Sequence, residues 1–485
     1  MSSILRVAFP KNFSAKFYEP TRIHLAPEYI FLENTFSPLI ELSPEDASIR
    51  AGVAESWEWK KNELHLHLRS SLKTYSGKPI TAEDAAFSLK RLLLRTQNTH
   101  GNLKDLVCGA VEIKKIDDPC EGIQIQGNTL ILKLSSPSPF ILPMLSGIDF
   151  AIIPKASVDS RTLDIVNYAE TSGPYFVSRD SDKGHIQLSA NKNHYHYSEK
   201  IPQVIELIPV DPKNKFGSIE MFKRNEVDLI TTIDAASSEE VYKLHQEISS
   251  ANFHSTIKIR TYALFFTERG LKELTTQQRL SMGKILKESI NPYFLNLPGY
   301  ESTSQFFPQH GDGSISADLA DEILKEAPID SSIFSFPLSL SVVRVGHLEE
   351  YQKQVQTVLP KAAVKEGLNL PGFQKFQHLQ EIPHAYIAGP DTGFNEDISL
   401  ISYSLTAGFF GLDPSSRQKW LANYMSQDNK TDRIVMLQKI HESSLRGGLL
   451  VPLFAGSYTA LAKNNWSIHL SKILANNPLW LIKKN

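Results

Sequence analysis

Two cysteines in 485 residues cannot build a disulfide scaffold or a four-thiolate zinc site. Long apolar runs are also missing: the richest windows, Leu449 to Ala462 and Phe140 to Pro154, are short or broken by polar residues and proline, below the roughly 18 residues of a membrane-spanning helix. Charge of one sign is lacking, since 51 Lys+Arg against 53 Asp+Glu leave a formal net charge of −2. Without a basic field to attract phosphate backbones, nucleic acid is not an expected partner. Glycine (25) and proline (27) are near average and 41% of residues are hydrophobic, which excludes collagen-like and disordered classes. The start, Met1-Ser2-Ser3-Ile4-Leu5-Arg6-Val7, carries no visible signal peptide, so a cytosolic chain and a processed form are both open.

Catalytic signatures are equally sparse. There is no G-x-S-x-G elbow, no phosphate loop, no H-E-x-x-H pair and no full G-x-G-x-x-G, and no cofactor is expected. Ser70-Ser71-Leu72-Lys73 and Ser281-Met282-Gly283-Lys284 match S-x-x-K but have no S-D-N or K-T-G partner. His65 with His67, and His194 with His196, could offer paired imidazoles to a metal, yet no third ligand lies nearby, and solvated strand faces are the plainer reading. Cys108 and Cys120 are twelve positions apart. In an oxidising compartment a bond between them would stabilise by about 3 kcal/mol, and it is the expectation here, with two unbridged thiols as the alternative.

What is present is interleaved α/β patterning over several lobes. Ile4 to Phe9 reads as a strand buried on both faces, and Leu64, Leu66 and Leu68 alternate with His65 and His67 as in a half-buried strand. Thr81-Ala82-Glu83-Asp84 resembles a capping box in which the Thr hydroxyl accepts an N–H, opening a helix with Ala85, Leu89, Leu92 and Leu93 inward. Leu130, Leu132 and Leu134 alternate again, and Ser135-Ser136-Pro137-Ser138-Pro139 stops that strand before a buried run, Phe150 to Ile153. Strands return from Ile186 to Val210, then a short helix with Phe216, Ile219 and Phe222 inward, then the strand Val227 to Ile230. A later helix carries Leu348, Tyr351, Val355, Val358, Leu359 and Ala362, with Pro360 expected to bend or divide it and Gly367 to cap it.

Three segments in order carry a resemblance: Gly52-Val53-Ala54-Glu55-Ser56-Trp57-Glu58-Trp59, Leu64-His65-Leu66-His67-Leu68-Arg69, and Tyr75 to Leu92 with its Gly77-Lys78-Pro79 turn. They resemble the signature block of the family 5 extracellular solute-binding proteins, the oligopeptide, dipeptide and nickel receptors of ABC importers. Further matches are Tyr18-Glu19-Pro20, Ile152-Ile153-Pro154-Lys155 as the strand leaving the second lobe, Thr171-Ser172-Gly173-Pro174-Tyr175, Asn225-Glu226-Val227-Asp228-Leu229 with Asn for the family's Gly, and Gly299-Tyr300 followed by Phe307-Pro308-Gln309-His310-Gly311. The central helix departs at Thr276-Gln277-Gln278-Arg279-Leu280-Ser281, and Asp312 to Phe373 matches only as a helix.

The resemblance implies an α/β, periplasmic-binding-protein-like clamp of three lobes with mixed sheets and a ligand cleft between lobes. The implied division is 1–37, 156–253 and 456–485 for the first lobe, 38–155 for an inserted second lobe, and 254–455 for the third. It further implies a monomer, without enzymatic activity, that captures an oligopeptide and delivers it to the membrane subunits of an ABC importer from the periplasm or cell envelope. A cytosolic ligand-sensing regulator of the same fold, and a binder of a nickel chelate or oligosaccharide, are the alternatives. By analogy with relatives whose aspartate pairs with the peptide amine, Asp397 is the first candidate anchor and Asp391 the second; the plain reading of both is a turn or helix start. Arg344, His347 and Arg417 are candidates for a ligand carboxylate because guanidinium matches it in two points. Tyr29, Tyr403, Phe409 and Trp420 are candidate cleft walls, or else core.

Overall fold

The computed structural model describes residues 3–10, 14–23, 26–95, 103–181, 184–210, 217–232, 238–295, 298–307, 311–342, 348–366, 379–390, 397–398, 400–401, 412–427, 429–474 and 478–485. Three mixed or antiparallel sheets, each with its helices, form three lobes.

The first lobe holds a seven-stranded sheet in the order Asn252–Ser255, Thr459–Ala462, Leu229–Thr231, Ile4–Pro10, Val204–Val210, Ile186–Ala190, Tyr175–Asp180. Ile4–Pro10 lies at its centre, parallel to both neighbours. That position explains the apolar run: Leu5, Val7 and Phe9 enter one core and Ala8 enters the core on the other side. The expected burial on both faces holds only in part, since Ile4 is exposed and Arg6 on the Ala8 face is half-exposed and paired with Asp228 (2.7 Å). The sheet collects strands from the beginning, middle and end of the chain.

The second lobe is built on an antiparallel four-stranded sheet, Ala54–Lys60, Glu63–Leu68, Thr129–Lys133 and Ile123–Gln126, in spatial order first, second, third, fourth. The helix Ala82–Arg95 packs Ala85, Leu89, Leu92 and Leu93 inward as expected. Its start differs in detail: the Thr81 hydroxyl donates to Asp84 Oδ2 (3.1 Å), which also accepts the Thr81 backbone N–H (3.0 Å). Gly77 turns at φ +88°, and Asn225 at φ +59° takes the left-handed conformation that the family's Gly would take freely. The strand Glu63–Leu68 buries His65 along with its leucines, so of its two histidines only His67 is half-exposed.

The third lobe holds a six-stranded sheet, in the order Tyr300–Ser302, Leu450–Gly456, Arg260–Phe266, Ala385–Ala388, Ser339–Val342, Ala363–Glu366, against the long helix Thr276–Leu295. Arg279, where the central helix departs from the family pattern, is buried and donates to the carbonyls of Leu274, Gly447 and Gly448.

Three expectations are corrected. The helix Leu348–Val358 stops before Pro360, so the proline neither bends nor divides it but follows its end, and the strand Ala363–Glu366 comes next, so Gly367 cannot be its cap. Phe150 to Ile153 is buried as expected, but Ile152 to Lys155, expected as the strand leaving the second lobe, is extended chain outside any sheet that runs into the 3-10 turn Lys155–Ser157, with Ile152 N–H bonded to Ser37 C=O. Cys108 and Cys120 are both free. The Cys120 thiol donates to the Cys108 carbonyl (3.4 Å), which also accepts the Gly122 N–H (2.8 Å), so Cys120 lies against the Cys108 backbone.

Between the first and second lobes the chain crosses twice, side by side. Ile152 N–H donates to Ser37 C=O (2.9 Å), Ser37 N–H to Ser172 Oγ (3.0 Å), and the Ser172 hydroxyl to Ile152 C=O (2.5 Å). Gly173 lies so close to Thr35 that a Cβ there would sit 2.4 Å from its carbonyl carbon. A short-polar-residue-plus-glycine turn is what this crossing requires.

Candidate functional site

Strand directions locate the site. In open sheets with parallel strands, ligands bind outside the carboxyl ends of those strands. In the first lobe the parallel strands end at Pro10, Val210 and Thr231, and Thr231 lies beside Ala460, at the edge where Ser255 pairs with Thr459. In the third lobe the mutually parallel strands end at Val342, Glu366 and Ala388, and Ala388 pairs with Ala263, near the edge where Arg260 pairs with Gly456. The two connections between these lobes run from Ser255 to Arg260 and from Gly456 to Thr459. Both sheets therefore present their carboxyl ends to one seam, floored by two crossing segments.

Those segments are tied to each other. Thr256 N–H donates to Tyr458 C=O (2.9 Å) and Tyr458 N–H to Thr256 Oγ1 (2.8 Å). The Arg260 guanidinium stacks on the Tyr458 ring at 4.6 Å, and its stem crosses Gly389 so closely that a Cβ there would meet Arg260 Cδ at 2.7 Å. Tyr262 stacks on Phe454 (4.7 Å between ring centres), and Tyr300 meets Phe454 edge-on (5.7 Å). Burial pushes the Tyr300 phenol well above its ordinary value, against an opposing hydrogen bond from Ser238 of the first lobe. Sequence reasoning passed over Arg260, Tyr262 and Tyr458. The signal was available in the two short polar gaps between apolar strands, Thr256 to Lys258 and Ser457-Tyr458.

Of the residues expected at the site, Asp391, Arg344, His347, Tyr403 and Phe409 lie outside the described residues. By chain position Arg344 and His347 follow the carboxyl end at Val342, and Asp391 follows that at Ala388. Asp397 is half-buried; its Oδ2 accepts the Gly313 N–H at 2.5 Å, and its Oδ1 lies 2.8 Å from where a Cβ on Gly311 would be. It thus grips the loop whose Phe307 to Gly311 portion carries part of the family resemblance. His441 holds the same loop from the other side, with Nε2 accepting from Phe306 N–H (3.1 Å) and Nδ1 against Gly313 C=O (3.2 Å). Arg417 and Trp420 share the helix Pro414–Met425 with Tyr424, at a spacing that places all three on one face. Trp420 stacks on Tyr424 (5.4 Å, 17°). Tyr29 packs against the first-lobe core.

Ser281 donates to Pro328 C=O and accepts from Asp330 N–H, while Lys284 Nζ reaches Lys325 C=O, so this S-x-x-K pair is spent on backbone. Among the described residues no three His, Cys, Asp or Glu side chains converge in a metal-binding group. His196 instead pairs with Glu41 (2.9 Å) and stacks on Trp480, and His194 bonds to Ser37 Oγ (3.0 Å).

Residues 48–331 match the model of the bacterial extracellular solute-binding proteins, family 5 Middle. The chain belongs to that family. The periplasmic oligopeptide-binding protein OppA of Salmonella typhimurium is 24% identical over 252 residues, which is 47% of this chain and 43% of that protein. The match thus spans less than half of that relative's length. OppA of Haemophilus influenzae, solved in complex with RPPGFSPFR, superposes on this chain with a TM-score of 0.77 at 16% identity, covering 100% of this chain and 99% of that one. NikA of Staphylococcus aureus, solved in complex with Ni(L-His)2, gives a TM-score of 0.77 at 13% identity and covers 100% of both chains. These likenesses show the family 5 fold over the whole chain, including the third lobe, where the motif resemblance thins out.

Proposed function

We propose that this family 5 protein is a clamp that captures a small solute, an oligopeptide first, in the seam between the first and third lobes and delivers it to an ABC importer. The observation that carries the reading is the pair of sheets turning their parallel carboxyl ends toward one seam across two crossing segments. Closure about such a floor changes the shape a membrane partner reads, provided the closed form gains contacts the open form lacks. Extended peptides suit a seam lined by strand ends, because backbone hydrogen bonds contribute affinity whatever the side chains. The lobe boundaries near residues 37, 155, 253 and 455, a monomeric state, and a periplasmic or envelope location belong to the same reading.

Within it, Asp397 and Asp391 serve the ligand's amine, Arg344 and Arg417 its carboxylate, and Tyr403 and Trp420 the walls. A non-peptide solute is the second reading, favoured by a superposition on the nickel-complex structure as good as that on the peptide complex. Native mass spectrometry of the purified protein tests both. A retained set of short peptides is the expected result, and a metal chelate or sugar with no peptide would replace the ligand while leaving the clamp.

A further inference from the structure

An aromatic side chain of the second lobe reaches into the third. Phe140 is buried and stacks on Tyr424 of the third lobe, with ring centres 5.4 Å apart and planes 27° from parallel. Tyr424 stacks in turn on Trp420, and the Arg433 guanidinium covers the Phe140 ring at 5.0 Å. Arg433 is itself held by its Nη1 bond to Gln427 C=O (2.8 Å). Phe140 therefore occupies a slot with an aromatic ring and a cation as walls, both contributed by helices of the other lobe, Pro414–Met425 and Lys430–Arg446.

The segment that carries Phe140 is stiff. Pro137 and Pro139 fix their own φ angles, the Ser138 hydroxyl accepts the Phe140 N–H (3.4 Å), and the short helix Ile141–Met144 begins at once behind it. A pre-set aromatic tip loses little freedom when it enters a slot. The second lobe is in turn fastened to the first by the buried Glu19–Arg91 pair and the Ser37, Ile152 and Ser172 crossing. A contact from Phe140 to the third lobe thus bridges the two halves of the clamp at a place other than the crossing segments.

We propose that Phe140 is a latch: its insertion between Tyr424 and Arg433 stabilises the closed clamp through protein alone, whatever the solute. Stacked aromatic and cation–π contacts of this kind are worth enough to shift an equilibrium by about tenfold. Because the latch forms after the lobes meet, it acts on release: dissociation quickens when it is lost, by the same factor for unlike ligands, and association changes little.

This inference rests on the clamp reading above, and its first test needs no ligand. X-ray scattering of the wild type, Phe140→Ala, Phe140→Leu and Tyr424→Leu compares their radii of gyration at neutral pH. Expansion of all three variants, with unchanged far-ultraviolet circular dichroism, is expected; Phe140→Leu keeps the apolar fill and removes only the stacking. The second test follows dissociation of Ala-Ala-Ala and of RPPGFSPFR from each protein, where about tenfold faster release of both is expected. Variants that scatter like the wild type would overturn the latch, as would release changed for one peptide alone. Failure of the wild type to bind either peptide would instead count against the peptide reading, and the scattering comparison would still decide the latch.

Discussion

Arg91 and Glu19 form a two-point pair that is almost completely buried, with Nη1 to Oε1 at 2.9 Å and Nη2 to Oε2 at 2.5 Å. Arg91 Nε donates to Leu163 C=O, and Glu19 Oε1 also accepts from Thr21, so the remaining polar positions around both groups are largely filled. The pair joins two segments of the family resemblance that lie 72 residues apart, and with them the first and second lobes. Arg91 and the Arg95 charge hold the Glu19 carboxyl below its ordinary value although burial alone would raise it.

Breaking this pair from one side leaves a buried charge uncompensated. Arg91→Met is expected to destabilise the protein by about 3–5 kcal/mol in urea unfolding, and Glu19→Leu with Arg91→Met to restore much of the loss. A double variant no better than the single ones would show that the pair is not the main tie there.

Gly173 tests the first-to-second lobe crossing. A Cβ would meet Thr35 and Phe36 backbone atoms at 2.4–2.6 Å, and backbone cannot step aside as a side-chain tip can. Gly173→Ala should therefore cost at least about 2 kcal/mol in the same assay, whereas Gly77→Ala, with nothing within 4 Å but φ at +88°, should cost about 1 kcal/mol. Equal costs at the two positions would contradict the close approach.

His441 sets an acid limit. Burial pushes its pKa down from 6.5 to about 4, against a smaller opposing bond to Gly313. Below pH 6.5 the unfolded chain gains a proton that the folded His441 declines, so stability present at neutral pH falls as pH drops toward 4, by up to about 1.4 kcal/mol per pH unit. Burial lowers His194 and His254 as well, with the same sign. His441→Gln should flatten the fall in urea midpoint between neutral pH and about pH 5; an unchanged slope would remove His441 from the account.

Asp397 separates two roles. If it receives a ligand amine, Asp397→Ala weakens peptides with a free N-terminus by at least about 2 kcal/mol and leaves N-acetylated peptides nearly unchanged in calorimetry. Its hydrogen bond from Gly313 predicts instead a loss common to both classes, through the loop it grips. Equal losses would assign Asp397 to positioning.

Much of this fold was legible because local pattern and global position agree. The strand with Leu5, Val7 and Phe9 inward, the helix at Ala82 and the alternation at Leu130 each report the core they enter. What was not legible is long-range. Arg91 reads as an ordinary charge on an amphipathic helix until Glu19 is seen beside it, and Pro137 to Phe140 reads as a strand stop until Tyr424 is seen across the gap. The site shows the same division. Strand ends and crossing segments follow from topology, whereas the Arg260–Tyr458 stack depends on residues almost 200 positions apart and has no local signature.

The seven-stranded sheet has a consequence for the order in which the molecule can be made. Thr459–Ala462 lies between Asn252–Ser255 and Leu229–Thr231, so those two strands wait, unpaired along that edge, while the entire third lobe is synthesised. Exposed strand edges of this kind invite mispairing. The inserted second lobe can therefore finish its own hydrogen bonding before the first lobe's sheet does, and the strand that joins the two waiting edges is made only after the whole third lobe.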